Sequence, residues 1–275
     1  MFRLAQRAGN NRLVFERGRI VDGCVRGLMD EQARLRADRS PRGIDALPEV
    51  SLHAILAQGL LSEGFGVSRE WPYPLAQPTS ARSRAERQRC DLLLTPDPSW
   101  LPHDEQPPGP LPSPDAAPSS VTKRTRGKAS AKSRGRSDQS LPLFGREHIE
   151  LVEVESTADG VHELRAEECF WLEVKLVSQF TYTRGVPEAN RTYGAELSRG
   201  VRTDVAKLAA SERVCFAGLL LVLLARDAAT ASHDLATCLV RASDRGDAFR
   251  APEVRSFEID DRVGNAAGVA CLIPK

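Results

Sequence analysis

The residues best suited to chemistry in this sequence are Glu173 and Lys175, which lie inside the apolar segment of residues 169–177, CFWLEVKLV. Aromatic and branched side chains are typical of a buried strand, so we predict a strand here. Alternate residues of a strand share a face, which places the carboxylate and the ammonium side by side. Two charges on an apolar strand are unfavourable unless a ligand uses them. A divalent cation would use the carboxylate, and a phosphate or a water molecule beside that cation would use the ammonium.

Two further acids precede this segment, each near the start of an apolar element. Asp91 stands in the strand-like run of residues 89–94, RCDLLL. Glu49 lies in the first turn of an amphipathic helix that Pro48 is predicted to begin. An acid in this position is also favoured by the helix dipole, so Glu49 taken singly is more typical of a surface acid. Its candidacy depends on the position of its helix before the two acidic strands.

The elements that carry these four residues come in the order helix, strand, strand, and a further helix follows. This order resembles the PD-(D/E)xK nuclease superfamily, over roughly residues 48–240. The resemblance implies an α/β protein with the restriction-endonuclease-like fold, a mixed central sheet flanked by helices. One departure is Cys90, which precedes Asp91 where the signature usually has proline. That proline takes no part in the chemistry.

The resemblance implies a role for each residue of the set. The metal ligands are the carboxylates of Asp91 and Glu173 and the backbone carbonyl of Val174. Glu49 reaches the metal through water or binds a second ion. Lys175 orients or helps to deprotonate the attacking water and stabilises charge on the phosphate. The expected cofactor is Mg²⁺, with Mn²⁺ as a substitute, because hard cations prefer oxygen ligands.

Basic residues near the predicted site are candidates for contacts with phosphates. Several relatives carry polar residues on the helix that follows the Glu-x-Lys strand, which makes Arg202 and Lys207 candidates by resemblance. A run of arginines leads to Asp91 and would either hold a polyanion backbone or form a solvated loop. This run consists of Arg82, Arg84, Arg87 and Arg89.

The 275 residues are predicted to form an N-terminal helical extension, residues 1–43, and a nuclease-like domain, residues 44–275. Residues 96–140 interrupt the domain. They are rich in proline as far as residue 118, and residues 123–136 are basic without any acid. Such a composition buries little apolar surface, so the segment is predicted to be a disordered insertion. Its basic half is either an arm that seeks phosphate or a solubilising segment.

The remaining elements follow from hydrophobic periodicity. Helices are predicted at residues 18–36, 48–63, 193–210 and 229–242, and strands at 67–75, 89–95, 149–155, 169–177, 215–225, 256–259 and 268–273. The strand at 67–75 contains two prolines and is predicted either to be an edge strand or to end early. Residues 161–167 are predicted to pair back as a hairpin. The six cysteines, Cys215 among them, show no CxxC spacing and are predicted to be reduced, buried thiols.

Several classes of protein are disfavoured by what the sequence lacks. The N-terminal residues contain no apolar signal-peptide core, and the longest apolar run, residues 217–225, is about half of what a membrane helix needs. We therefore expect a cytoplasmic protein without a membrane partner. The five histidines show neither HxxxH nor HxH spacing, and no GxxxxGK[ST] or GxSxG motif is present. A zinc hydrolase, an ATPase and a serine hydrolase of these types are not expected.

Three functional hypotheses remain. The first is a metal-dependent nuclease that acts on DNA, with a separately encoded helicase or recognition subunit and with a homodimer left open. The second is a non-catalytic nucleic-acid-binding or assembly module that retains the nuclease-like fold. In the third, Glu173 and Lys175 form a buried ion pair with a purely structural role. The sequence leaves open whether the substrate is DNA or RNA and whether cleavage is internal or terminal.

Overall fold

The computed structural model describes residues 15–74, 89–102, 163–183, 186–210, 212–244, 250–260 and 262–275. These residues belong to one compact unit. Among them, no helix combines the length and the apolar character that crossing a bilayer requires.

The described chain contains helices and strands with the following bounds. The helices are α1 (Arg17–Ala37), α2 (Glu49–Ser62), α3 (Tyr193–Ala195), α4 (Val201–Ala209) and α5 (Ala228–Asp244), with a π-helical turn at Glu196–Gly200 and 3₁₀ turns at Ile44–Ala46 and Ala166–Glu168. The strands are β1 (Gly66–Pro72), β2 (Arg89–Thr95), β3 (Leu101–Pro102), β4 (Glu163–Leu164), β5 (Phe170–Ser178), β6 (Phe180–Thr183), β7 (Val186–Ala189), β8 (Phe216–Ala225), β9 (Glu253–Glu258) and β10 (Ala267–Pro274).

Six strands form the central sheet in the order β1-β2-β5-β8-β10-β9. β5 and β8 are parallel, and each other neighbouring pair is antiparallel. The parallel pair requires a crossover, which α3, the π-helical turn and α4 supply. A mixed sheet flanked by helices, as the sequence predicts, is therefore confirmed, and β1 is an edge strand as its prolines indicate.

The sheet has a hydrophobic core on each face. Strand β8 is apolar along its length, and its alternate residues enter the two cores. Leu220 and Val222 pack with α1 and α2, whereas Leu219 and Leu221 pack with α4 and α5. A strand that is buried on both faces reads as a continuous apolar run, which explains the sequence FAGLLLVLLA.

Helices α1 and α2 lie so close together that glycine is required between them. A Cβ atom added to Gly59 would overlap the carbonyl oxygen of Gly23 and lie 2.7 Å from the nitrogen of Gly27. On α2, Leu52, Leu56 and Leu60 recur every four residues and are buried. The core that they form also contains α1 residues, so α1 packs against the sheet domain. The predicted boundary after residue 43 stays a prediction.

The structure differs from the predicted elements in a few places. The prediction of a buried thiol is wrong for Cys215, which is exposed. The cysteine is exposed because it precedes the apolar strand that begins at Phe216. Residues 96–102, placed in the predicted insertion, contain β3, which pairs in parallel with β4. The rest of that insertion and the predicted strand at residues 149–155 lie outside the described residues. So does part of the predicted hairpin at 161–167.

Candidate functional site

The register of three neighbouring strands brings three acids to one level of the sheet. The β1–β2 register places Glu70 opposite Asp91. The last β2–β5 pair joins Leu92 to Leu172, so Asp91 and Glu173 are the next residues of the two strands, and the charge of Asp91 acts on the Glu173 carboxyl. Like charges directly opposite one another on neighbouring strands are destabilising. This end of the sheet therefore needs cations, whether from side chains or from a bound ion.

Asp91 lies where β2 and β5 separate. Its Oδ2 atom accepts a hydrogen bond of 2.7 Å from the backbone N–H of Val174, which replaces the ladder pairing. Burial raises the pKa of the Asp91 carboxyl, and the hydrogen bond from Val174 only partly offsets that effect. The carboxylate is thus fixed by one oxygen in an environment that disfavours its charge. The predicted role of the Val174 carbonyl as a ligand stays a prediction.

Glu173 is the most buried acid of the three, with 5% of its side chain exposed. Its Oε1 atom accepts hydrogen bonds from the hydroxyl of Tyr73 and from Lys207 Nζ, the latter at 2.8 Å. Tyr73 in turn stacks on Trp171, with 5.1 Å between ring centroids. Burial raises the pKa of the Glu173 carboxyl, and the charge of Asp91 raises it further. Glu173 is therefore held rigidly between an ammonium and a phenol.

Lys175 pairs with Glu49 and not with Glu173. Its Nζ atom lies 3.0 Å from Glu49 Oε2, and the same oxygen accepts the backbone N–H of Leu176 at 2.9 Å. The hypothesis of a structural Glu173–Lys175 ion pair is therefore wrong, because each partner is bound elsewhere. The contacts also tie the first turn of α2 to β5, so Glu49 is more than a surface acid. Burial lowers the pKa of Lys175, but the hydrogen bond and charge of Glu49 outweigh burial and leave it raised.

The helical crossover after β5 closes the site on one side. The π-helical turn ends at Gly200, and a Cβ atom there would lie 3.2 Å from Lys175 Cε. One turn further along, burial raises the pKa of Asp204, and the charge of Lys175 opposes this rise. α4 also supplies Lys207, which donates to the carbonyl of Arg89 at 3.0 Å as well as to Glu173. Arg202, the other predicted phosphate contact, is exposed and lines a separate cleft against α5.

His53 and Glu70 join the site although the sequence did not single them out. His53 Nδ1 lies 3.2 Å from Glu70 Oε1, and His53 Nε2 lies 3.7 Å from Asp91 Oδ1. One ligand atom from each of these residues falls within 4.8 Å of the others. His53 follows Glu49 by one helical turn, so its spacing in the sequence could have identified it as a neighbour of Glu49. No sequence pattern indicated a role for Glu70, because only the strand register places it opposite Asp91.

Comparison with protein-family models, with curated proteins and with solved structures finds no match to this chain. The class is therefore defined by fold and site alone. It is a mixed α/β protein with acids and lysines clustered where β2 and β5 separate. The predicted residues Glu49, Asp91, Glu173 and Lys175 all lie in this cluster.

Proposed function

We propose that the protein is a metal-dependent nuclease that hydrolyses phosphodiester bonds, with DNA as the substrate. The observation that carries this proposal is the proximity of the Asp91 and Glu173 carboxyls at the end of the β2–β5 pairing, with Lys175 two residues after Glu173 on β5. The elements α2, β2, β5 and α4 follow one another in the order that the PD-(D/E)xK resemblance implies. The mixed sheet supports the same assignment.

The residues fit a hard divalent cation. The hydrogen bonds described above end on one oxygen of each carboxylate, Asp91 Oδ2 and Glu173 Oε1. Glu49 and Asp204 add further carboxylates within the range of charge interaction. Mg²⁺ keeps several waters and is commonly held by one or two carboxylates, which this cluster supplies. When bound, the cation would neutralise phosphate charge and lower the pKa of a water molecule.

The other residues of the cluster position these groups. Glu49 holds the Lys175 ammonium in place, where Lys175 would orient the attacking water and stabilise charge on the phosphate. Lys207 and Tyr73 fix the Glu173 carboxylate, so that little reorganisation accompanies the reaction. Val174 fixes the Asp91 carboxylate through its N–H.

A nucleic-acid substrate is supported by the distribution of charge. Arg89 is exposed, and its Nη1 donates to the carbonyl of Glu70 at 2.9 Å, which holds it beside the acids. An exposed guanidinium at the rim of a carboxylate site can bind phosphate on either side of the bond that is cut. The three arginines that precede it in the sequence, Arg82, Arg84 and Arg87, lie outside the described residues, so their predicted contact with a polyanion stays a prediction.

The test is cleavage of linear and circular DNA, single- and double-stranded, and of RNA, in Mg²⁺, Mn²⁺ or EDTA. We expect cleavage by the wild-type protein in Mg²⁺ or Mn²⁺ and none in EDTA. Asp91→Ala, Glu173→Gln and Lys175→Met should lower cleavage at least about 100-fold. Glu258→Gln, a change of an exposed acid on the far edge strand β9, is the matched control.

Full activity of Asp91→Ala or Glu173→Gln would refute this assignment. Absence of cutting by folded wild-type protein with every cation would refute nuclease action by this chain alone. In that case, binding of labelled DNA without cutting would favour the non-catalytic module. The circular substrate separates internal from terminal cleavage, and RNA included in the same series separates the two kinds of nucleic acid.

A further inference from the structure

His53 is buried with one of its ring nitrogens unused. The residue is 4% exposed, and its Nε2 atom has no hydrogen-bond partner among the described residues. A buried polar atom left without a partner costs about 1–3 kcal/mol. This nitrogen faces Asp91 Oδ1 at 3.7 Å, which is too long for a hydrogen bond. The gap between these two atoms is therefore polar on both sides.

Glu70 adopts an unusual backbone conformation at the same place. Its φ angle is +53°, the left-handed region, in the middle of strand β1. A residue other than glycine in this region costs about 1–3 kcal/mol, and such residues concentrate at functional sites. The conformation interrupts the β1–β2 pairing at the one position opposite Asp91. It also brings the Glu70 carboxylate to 3.2 Å from His53 Nδ1.

The spacing of these groups suits a metal ion. Ligands at about 2.0–2.2 Å from an ion lie about 3–4 Å apart. His53 Nε2 and Asp91 Oδ1 already have such a spacing, and one ligand atom from each of the three residues, with one imidazole nitrogen for His53, falls within 4.8 Å of the others. The Glu70 side chain is 45% exposed, so its carboxylate has room to turn toward the ion.

We propose that His53, Glu70 and Asp91 form a binding site for a divalent transition-metal ion, with one imidazole nitrogen and two carboxylate oxygens as ligands. An imidazole ligand favours ions such as Mn²⁺, Co²⁺ or Zn²⁺ over Mg²⁺. The site goes beyond the proposed nuclease function and shares only Asp91 with it. It neutralises the repulsion between Glu70 and Asp91 and provides a partner for His53 Nε2.

The test is metal binding by the full chain, without any nucleic acid. Co²⁺ binding is followed by visible absorption, and Mg²⁺ binding by calorimetric titration. We expect His53→Gln to weaken Co²⁺ binding by at least about tenfold and to leave Mg²⁺ binding unchanged. Glu70→Gln, at a half-exposed side chain, should weaken Co²⁺ binding in the same direction while the fold is retained, as far-ultraviolet circular dichroism would show.

Glu173→Gln is the variant that separates this site from the proposed nuclease site. It should lower Mg²⁺ binding and retain the Co²⁺ spectrum of the wild type. Co²⁺ binding that is the same in wild type, His53→Gln and Glu70→Gln would overturn the site, even if the protein cuts DNA. Co²⁺ binding that requires His53 would uphold the site even if no cleavage occurs.

Discussion

Substitution of Lys207 by methionine tests which lysine supports the buried carboxylate. Lys207→Met removes the ammonium that lies 2.8 Å from Glu173 Oε1 and keeps a side chain of similar length. Lys175→Met is the matched control, because it removes the same charge from the neighbouring position of the cluster. The two variants differ in the burial of the acid that is left behind. Glu173 has 5% of its side chain exposed, whereas Glu49 has 38%.

Loss of one partner from a buried ion pair costs about 3–5 kcal/mol of unfolding free energy. The Lys207 side chain is 24% exposed, and Tyr73 still donates to Glu173, so we expect the lower limit, about 3 kcal/mol. For a domain of this size that corresponds to a decrease in Tm of about 6–12 °C. Water can reach Glu49, so Lys175→Met should cost about 1 kcal/mol or less.

The stability of the Lys207→Met variant should depend on pH in a defined direction. Burial already raises the pKa of Glu173 above its ordinary value, and loss of the Lys207 hydrogen bond should raise it further. The folded state then binds a proton more tightly than the unfolded state, so stability decreases as pH rises from the ordinary pKa of glutamate through the raised value. The unfolding free energy that Lys207→Met loses should therefore become smaller as the pH is lowered from the raised pKa toward the ordinary pKa of glutamate.

Urea unfolding of both variants in EDTA, at neutral and at acid pH, measures these differences. The double variant Lys207→Met/Glu173→Gln should recover most of the lost stability, because no buried charge is then left unpaired. Equal losses for Lys207→Met and Lys175→Met, or a Lys207→Met deficit that is independent of pH, would refute this account of the cluster.

Three glycines give further predictions. Gly59→Ala should destabilise the protein by about 3 kcal/mol or more, as thermal unfolding would show, because the new methyl group overlaps the α1 backbone. Gly194→Ala, with no atom within 4 Å of the new methyl group, should leave Tm unchanged or slightly raised, and an equal loss in both would contradict the helix packing. Gly200→Ala should shift the Lys175 side chain by a few tenths of an ångström and lower the proposed cleavage by up to about tenfold at unchanged Tm; unaltered kcat would contradict the role of that contact.

The sequence alone determined the elements that bury one face or both faces. Strand β8 reads as a continuous apolar run because both of its faces are covered, and α1 and α2 show apolar residues at helical spacing because one face of each is covered. The candidates Glu173 and Lys175 were visible for the same reason, since charges inside an apolar strand stand out. The spacing of apolar residues along the sequence depends on which faces are buried, so these features could be predicted.

The tertiary structure decided which of these charges meet. Glu173 and Lys175 are two residues apart, yet their partners are Lys207 and Glu49, which come from α4 and α2. Glu70 enters the site only through the register of β1 against β2, and a slip of one residue would turn it to the other face. Pairing between charges depends on distances across the sheet and between helices, and hydrophobic periodicity along the chain carries no information about those distances.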